Sequence, residues 1–572
     1  MGKIKLNWSV IILLTTFLIL TTSSLYYQNY WSVETEHSCA GYIYLTTGHM
    51  WNIVTHGIPT GGLSAIPLLF IDIDHPSWET IPNIKKYCQF EFILYGDNDP
   101  ELILVLTKIP MILIGLLGGI YVWKWSKELF KNNASGILSL TLYCFFPLVL
   151  GYSKSTNLDI TLTVFFFITA YYFWKYYKVK SFVSDGTVST LKLERRYILL
   201  TGLFMGLAIL SKPSAFVILP SIFFIGMIFI WKGKFKFKEF FWVMVKLCVI
   251  VGAVFLVIHP LDWYPLYDFD DPLYMGGDAR SEERLNEIVN QLPFPTNITK
   301  FALTKIPVPV SHYWQGFYAL FNYLHAGNTG AGSGYFKGYE YGAETSNFVK
   351  WMWAIALKTP IALFILFGIS LILMAIKREK DYLFLLIPMV LYILSFVVVG
   401  MIGGVRLLLP AYLFMFVLCG VIMTKRKLYI GFLVGVCLVW YMGITLLIYP
   451  AFSQYYNEFI GGPKNAPNYF INADIDAKTD FKMLKLWMDR NNINHIYLNS
   501  SVYGMYHIYG INYTPFYANN ESQLDGYVAI SVSSLYGEIP DGRNDFNWLR
   551  ELEPIHQEKQ YGYSLRVYKI GG

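Results

Sequence analysis

The feature that most constrains this chain is a series of long apolar runs, because a helix needs about 20 mostly apolar residues to cross a bilayer. Such runs cover about 7–27, 101–123, 136–152, 159–174, 197–211, 214–231, 241–258, 349–376, 382–400, 407–423 and 428–449, eleven in all. Inside hydrocarbon the backbone has to satisfy its own hydrogen bonds, so these runs are expected as helices. Of the 572 residues 55% are hydrophobic and only 15% are charged, which sets aside an ordinary soluble domain. The expected fold is a polytopic α-helical membrane protein. The first run follows Lys3 and Lys5 in the manner of a secretory signal, but no small-residue cleavage pattern follows it, and it is read as a retained first span.

Orientation follows from where the positive residues fall, since Lys and Arg in short loops resist translocation. Lys3 and Lys5, Lys124 to Lys131, Lys175 to Arg196, Lys232 to Lys238, Lys377 to Lys380 and Lys425 to Lys427 together hold 21 of them. With eleven spans all six groups lie on one side. The N-terminus is then cytoplasmic and the C-terminus extracytoplasmic. Because the positive residues sit between apolar runs, the net charge of +6 does not point to a nucleic-acid partner.

Three large segments are thereby placed outside: 28–100, 259–348 and the tail from 450. Residues 1–449 form the expected transmembrane module and 450–572 an extracytoplasmic domain. Within the tail, "DFKMLKLWMDR" has helical periodicity, whereas "YVAISVSSL" and "YSLRVYKI" read as strands, so a small α/β domain is expected. The sequons at Asn499, Asn512 and Asn520 agree with a translocated tail but are too short a pattern to decide it. Four of the six cysteines lie in apolar spans; Cys39 and Cys88 share the 28–100 segment. With no CxxC pair and no metal-type spacing, these two are expected as free thiols.

Ionisable residues at membrane depth are costly, so those at the ends of apolar spans are candidates for function. Glu34, Glu36 and His37 follow the first span. Asp159 opens the fourth, Lys212 parts the fifth from the sixth, and Arg406 opens the tenth. All fall on the outer face. Each also has a plainer reading: solvated loop carboxylates for Glu34 and Glu36, an interfacial hydrogen-bonding role for His37, snorkelling to headgroups for Lys212 and Arg406, and a helix cap for Asp159. A carboxylate able to take a proton, set near cations able to hold a phosphate, is the equipment for group transfer from a phosphate ester.

The stretch "WSVETEHSCAGYIYLTTG" resembles the Asp-Glu motif loop of GT-C glycosyltransferases of the protein O-mannosyltransferase type. "GYSKSTNLDITLTVFFF" is similar to their second acidic motif, and "GLAILSKPSAFVILP" to their Gly-Leu-Ala-x-Leu-x-Lys helix break. "YFKGYEYGAETSNFVKWMWAIALKTPIALFIL" and "GGVRLLLPAY" resemble the Lys-Thr-Pro block and the Arg-x-Leu-Leu-Pro helix start. The tail adds "YYNEFIGGPKNAPNYFINADIDAKTDFKMLKLWM" and "YVAISVSSLYG", similar to motifs of prokaryotic members. The blocks run in the same order from about 30 to 570.

This resemblance implies an inverting membrane glycosyltransferase with a dolichyl- or other polyprenyl-phosphate sugar donor, mannose above all. The acceptor it implies is a protein hydroxyl or a lipid or glycan. Glu34, Asp159 and Glu36 become candidate catalytic residues, Lys212 and Arg406 candidate ligands of the donor phosphate, and His37, His259 and Lys358 candidate substrate-binding residues. One departure is Val33, where the family usually has Asp; either Glu34 or Glu36 is then left as the base. An outer site also fits a lipid-linked donor, since nucleotide sugars are cytoplasmic. No cofactor is expected, and Glu34, Glu36, His37, His49 and His56 lack a recognised metal-ligand spacing, so no metal is expected either. The cell membrane is the expected location. Two other readings fit part of the pattern: a transporter or flippase for a lipid-linked or small substrate, and a non-catalytic relative, which Val33 would suit.

Overall fold

The computed structural model describes residues 7–571 apart from 29–30, 49–56, 183–187, 234, 260–262, most of 266–346, 400–403, 426, 472–479, 500–507, 518–523 and 537–545. Most of the 259–348 segment, with His49, His56 and Asn520, therefore lies outside the described residues.

The described chain is mostly helical. In the first half run α1 (Trp8–Leu25), α2 (Ser32–Thr47), α3 (Ile58–Ala65), α4 (Pro100–Phe130), α5 (Asn133–Cys144), α6 (Pro147–Ser153), α7 (Leu158–Phe182) and α8 (Val188–Ser211). There follow α9 (Ile218–Trp231), α10 (Phe237–Ile258), α11 (Asn347–Lys358), α12 (Ile361–Lys377), α13 (Leu383–Val399), α14 (Leu409–Cys419), α15 (Leu428–Leu447) and, in the tail, α16 (Phe481–Arg490).

Among the described residues seven helices are long and apolar enough to cross a membrane, or up to nine if each of two bent pairs counts as one span. The expected spans 136–152 and 349–376 are those bent pairs, broken by 64° between α5 and α6 and by 111° between α11 and α12. Proline explains both breaks. Pro147 opens α6 and Pro360 precedes α12, and a proline supplies no N–H to the previous turn while forcing its predecessor out of the helical region. The runs 159–174 and 197–211 fall within α7 and α8, which reach 25 and 24 residues by extending into charged ends.

Every residue of α14 is buried. It is surrounded by α4, α5, α7, α12 and α13. Lipid tails are as apolar as a side chain, so helices in a membrane hold together by close packing and hydrogen bonds between small residues. At Gly420, just past α14, an added Cβ would lie 2.2 Å from Ser126 Oγ, and Ser139 Oγ in turn donates to Ser126 Oγ at 2.8 Å. Outside this bundle, α2 and α3 cross so closely that a Cβ on Gly41 would lie 2.0 Å from the carbonyl oxygen of Gly61.

The segment between α1 and α4 has its own small core, centred on Tyr42, Trp78, Tyr87 and Phe92. Cys39 and Cys88 are joined there as a disulfide, which corrects the expectation of free thiols. Their separation of 49 residues hides the pairing in the sequence; the packing of α2 on the turn at Tyr87–Glu91 brings their Cα atoms to 5.4 Å.

In the tail, β1 (Ile496–Asn499), β2 (Tyr513–Pro515), β3 (Gly526–Ser531) and β4 (Leu565–Ile570) form a sheet in the order β2-β1-β3-β4, antiparallel only between β3 and β4. The apolar face of α16, with Leu484, Trp487 and Met488, packs on it. Asp480 fastens this unit to the end of the helical bundle: its Oδ2 accepts from Gln454 Nε2 at 2.7 Å, Ser564 N at 2.7 Å and Ser564 Oγ at 2.6 Å.

Candidate active site

Trp31 is the extended residue before α2 and gives it no side-chain cap, so Glu34 in the first turn is what offsets the unpaired amides there. The backbone of Glu34 is held from two sides. Ser38 Oγ donates to its carbonyl at 2.9 Å and Thr156 Oγ1 at 3.1 Å. Its carboxylate is 2% exposed, and Oε2 lies 3.2 Å from Nζ of Lys108, itself 3% exposed on α4. Neither Oε1 nor Oε2 of Glu34 has a hydrogen-bond donor among the described residues, the contact of Oε2 with Lys108 being an ion pair.

Three residues after Thr156, Asp159 in the first turn of α7 meets two cations. Lys212 Nζ is 2.7 Å from Oδ1, and Arg406 Nε is 3.6 Å from Oδ2. Lys212 reaches it because Pro213 ends α8 and leaves Lys212 extended between α8 and the following turn. Arg406 reaches it from the turn Val405–Leu408 that leads into the central helix α14. The guanidinium also lies 5.2 Å from the ring of Trp31 and 5.9 Å from that of Tyr152. Asp159 is 2% exposed while the two cations are 16% and 14% exposed, so the positive groups form the accessible lip of the cluster.

The structure thus gathers Lys212 and Arg406 on Asp159, and Thr156 and Trp31 tie the backbone at Glu34 to that cluster while the Glu34 carboxylate faces Lys108. The other expected residues lie apart. Residues two apart on a helix point about 200° from each other, and Glu36 accordingly faces away from Lys108, accepting from Gln89 Nε2 at 2.6 Å. Burial raises its carboxyl above the usual carboxylate range, against the Gln89 bond and the charge of Lys85. His37 is buried on the same helix. His259 is fully buried at the end of α10, its ring 5.9 Å from that of Tyr44. Lys358 donates to the carbonyl of Ser453 at 3.0 Å and sits 4.2 Å over the ring of Tyr456.

Two functional candidates escaped the sequence reading. Lys108 lies inside an apolar run, and Lys154, in the loop between α6 and α7, is fully buried with Nζ donating to the carbonyls of Ser24 at 3.3 Å and Pro450 at 3.2 Å. Burial and the neighbouring Lys108 lower the Lys154 ammonium to about 7, with Glu34 and Asp480 pulling the other way. The signal for Lys108 was present in "LTKIP", an ionisable residue at membrane depth. No group of three His, Cys, Asp or Glu side chains suited to a metal occurs among the described residues.

Residues 104–263 match the family model of dolichyl-phosphate-mannose-protein mannosyltransferases. The mannosyltransferase-like segment contains Lys108, Lys154, Asp159, Lys212 and His259, whereas Glu34, Arg406 and the tail lie beyond it. The resemblance read from the motifs is met over this segment. No curated protein matches the chain. Among solved structures, the archaeal oligosaccharyltransferase AglB from Archaeoglobus fulgidus, in complex with an inhibitory peptide and a dolichol-phosphate, is similar at 11% identity and a TM-score of 0.46, over 94% of this chain and 72% of its own. ArnT from Cupriavidus metallidurans bound to undecaprenyl phosphate is similar at 11% identity and a TM-score of 0.30, over 98% of this chain and 97% of its own.

Proposed function

We propose that the protein is an integral membrane glycosyltransferase that takes a sugar, mannose in the first place, from a polyprenyl-phosphate carrier and passes it with inversion to a hydroxyl acceptor on the extracytoplasmic side. The observation that carries this reading is the convergence of Lys212 and Arg406 on Asp159 beside the buried Glu34, within a chain whose 104–263 segment matches the mannosyltransferase family model. The disulfide Cys39–Cys88 agrees with an oxidising compartment for the segment carrying Glu34. To the seven apolar helices, or up to nine with the bent pairs, we add α7 and α8 as crossings, a reading of eleven spans under which this segment and the tail lie outside.

In the proposed reaction the acceptor oxygen attacks the anomeric carbon as the bond from that carbon to the phosphate oxygen breaks. The acceptor proton passes to the carboxylate of Glu34. The electron pair of the broken bond leaves with the phosphate, whose added charge Lys212 and Arg406 hold. Asp159 orients both cations until the donor arrives. Purified protein given radiolabelled polyprenyl-phosphate mannose and an extract of membrane and secreted acceptors is expected to form labelled product. Glu34→Gln and Lys212→Met are expected to abolish it with folding intact; absence of both transfer and donor binding in the wild type would sink the assignment.

A further inference from the structure

The pair formed by Glu34 and Lys108 sits below the lip of the site, the two side chains 2% and 3% exposed. A buried carboxylate is costly to keep without a counter-charge, and only a carboxylate can accept a proton from an attacking hydroxyl. The charged groups around Glu34 are few: Lys108 from α4, Lys154 from the loop after α6, and Glu36 and His37 on its own helix. Glu36 is turned to Gln89 and Lys154 to two backbone carbonyls, while Lys108 is in ion-pair contact with the carboxylate.

The two oxygens of Glu34 differ. Oε2 is the one 3.2 Å from Lys108 Nζ, an ion-pair contact without hydrogen-bond geometry, and Oε1 has a partner of neither kind among the described residues. We infer that Lys108 is a positioning residue for the transfer reaction: it keeps Glu34 ionised and fixes Oε2, leaving Oε1 as the atom that receives the acceptor proton. This inference rests on the function proposed above. It also favours Glu34 of the two carboxylates left open by Val33, because Glu36 is bonded to Gln89, with Lys85 as its nearby cation, and lies on the other side of α2.

The charge state of Glu34 can be read without any turnover. Infrared spectra of the full-length protein in lipid nanodiscs, titrated over pH and compared with Glu34→Gln, isolate the protonated-carboxyl band of Glu34. At neutral pH that band is expected to be absent in the wild type and in Lys108→Arg, and present in Lys108→Gln, which keeps a hydrogen-bond donor but loses the charge. With radiolabelled polyprenyl-phosphate mannose, Lys108→Gln is expected to lose about 100-fold in kcat, with KM for the donor within about 2-fold and the pH profile moved to higher pH; Lys108→Arg should recover most of the rate. A wild type in which the Glu34 band is already present at neutral pH overturns the inference, even if Lys108→Gln does not fold. So does a folded Lys108→Gln lacking the band or keeping the wild-type pH profile. A wild type that shows the expected bands but no transfer upholds the charge pairing and instead refutes the proposed function.

Discussion

Arg406 lies between Trp31 and Asp159, its guanidinium 5.2 Å from the indole ring and its Nε 3.6 Å from the carboxylate. One side chain at the entrance to the central helix thus contacts the residue just before α2 and a residue in the first turn of α7. The starts of the two helices that carry Glu34 and Asp159 therefore share a neighbour.

Removing the charge of Asp159 should loosen that arrangement. Asp159→Asn keeps the shape but leaves Lys212 and Arg406 without their carboxylate. Transfer from polyprenyl-phosphate mannose is expected to fall by about 100-fold. Because both cations are partly exposed, the stability loss should be smaller than for a fully buried pair, about 2 kcal/mol by thermal unfolding in detergent.

Glu36→Gln is expected to behave differently. Its carboxyl faces Gln89 and is already pushed toward the neutral form by burial, so a neutral amide there should keep transfer within about 3-fold of wild type, where Glu34→Gln loses it. Initial rates of the two variants side by side make the comparison.

Gly41→Ala places a methyl group 2.0 Å from the carbonyl of Gly61. The helices α2 and α3 must separate to admit it. A cost of about 2 kcal/mol is expected, along with lower transfer because Glu34 rides on α2; melting curves and rates on the same preparation would show whether the two losses travel together.

Lys154 should make stability depend on pH. Its ammonium is lowered to about 7 in the folded protein from an ordinary value of 10.5, so between those values the unfolded chain binds the proton more tightly. Stability contributed by this residue is therefore lowest below pH 7 and rises as pH climbs toward 10.5. Melting temperatures measured across that window should show the slope in the wild type and a weaker one in Lys154→Met.

Reduction of the Cys39–Cys88 bond opens a loop of 49 residues and is expected to cost about 3 kcal/mol. Melting with and without reductant should reveal a shift in the wild type and none in the Cys39→Ser, Cys88→Ser double variant.

How much of this was legible in the sequence depends on whether the signal is local. Apolar length is local, and it placed the helices that hold Asp159, Lys212 and Arg406 at their ends. The proline breaks before α6 and α12 were local too, but an apolar run continues through a proline, so hydropathy alone joined what backbone geometry separates. Pairing is not local. Nothing near Cys39 names Cys88, and nothing near Glu34 names Lys108, 74 positions away; both partners are chosen by how α2 folds back on the segments that follow it. The same holds for Glu36, which Val33 left open as a base beside Glu34 and which its direction on the helix turns to Gln89 instead.

Helix α4 has 31 residues, about 46 Å at 1.5 Å per residue, against a hydrocarbon layer of about 30 Å. The surplus has to emerge at one or both surfaces. Lys108 stands about 12 Å from the end at Pro100 and about 33 Å from the end at Phe130, so whatever length emerges beyond Pro100 brings its ammonium that much nearer the headgroups and away from mid-bilayer, where a lysine costs about 3 kcal/mol. The extra length of one helix thus gives the chain room to set a buried cation toward the end of a crossing instead of at its centre.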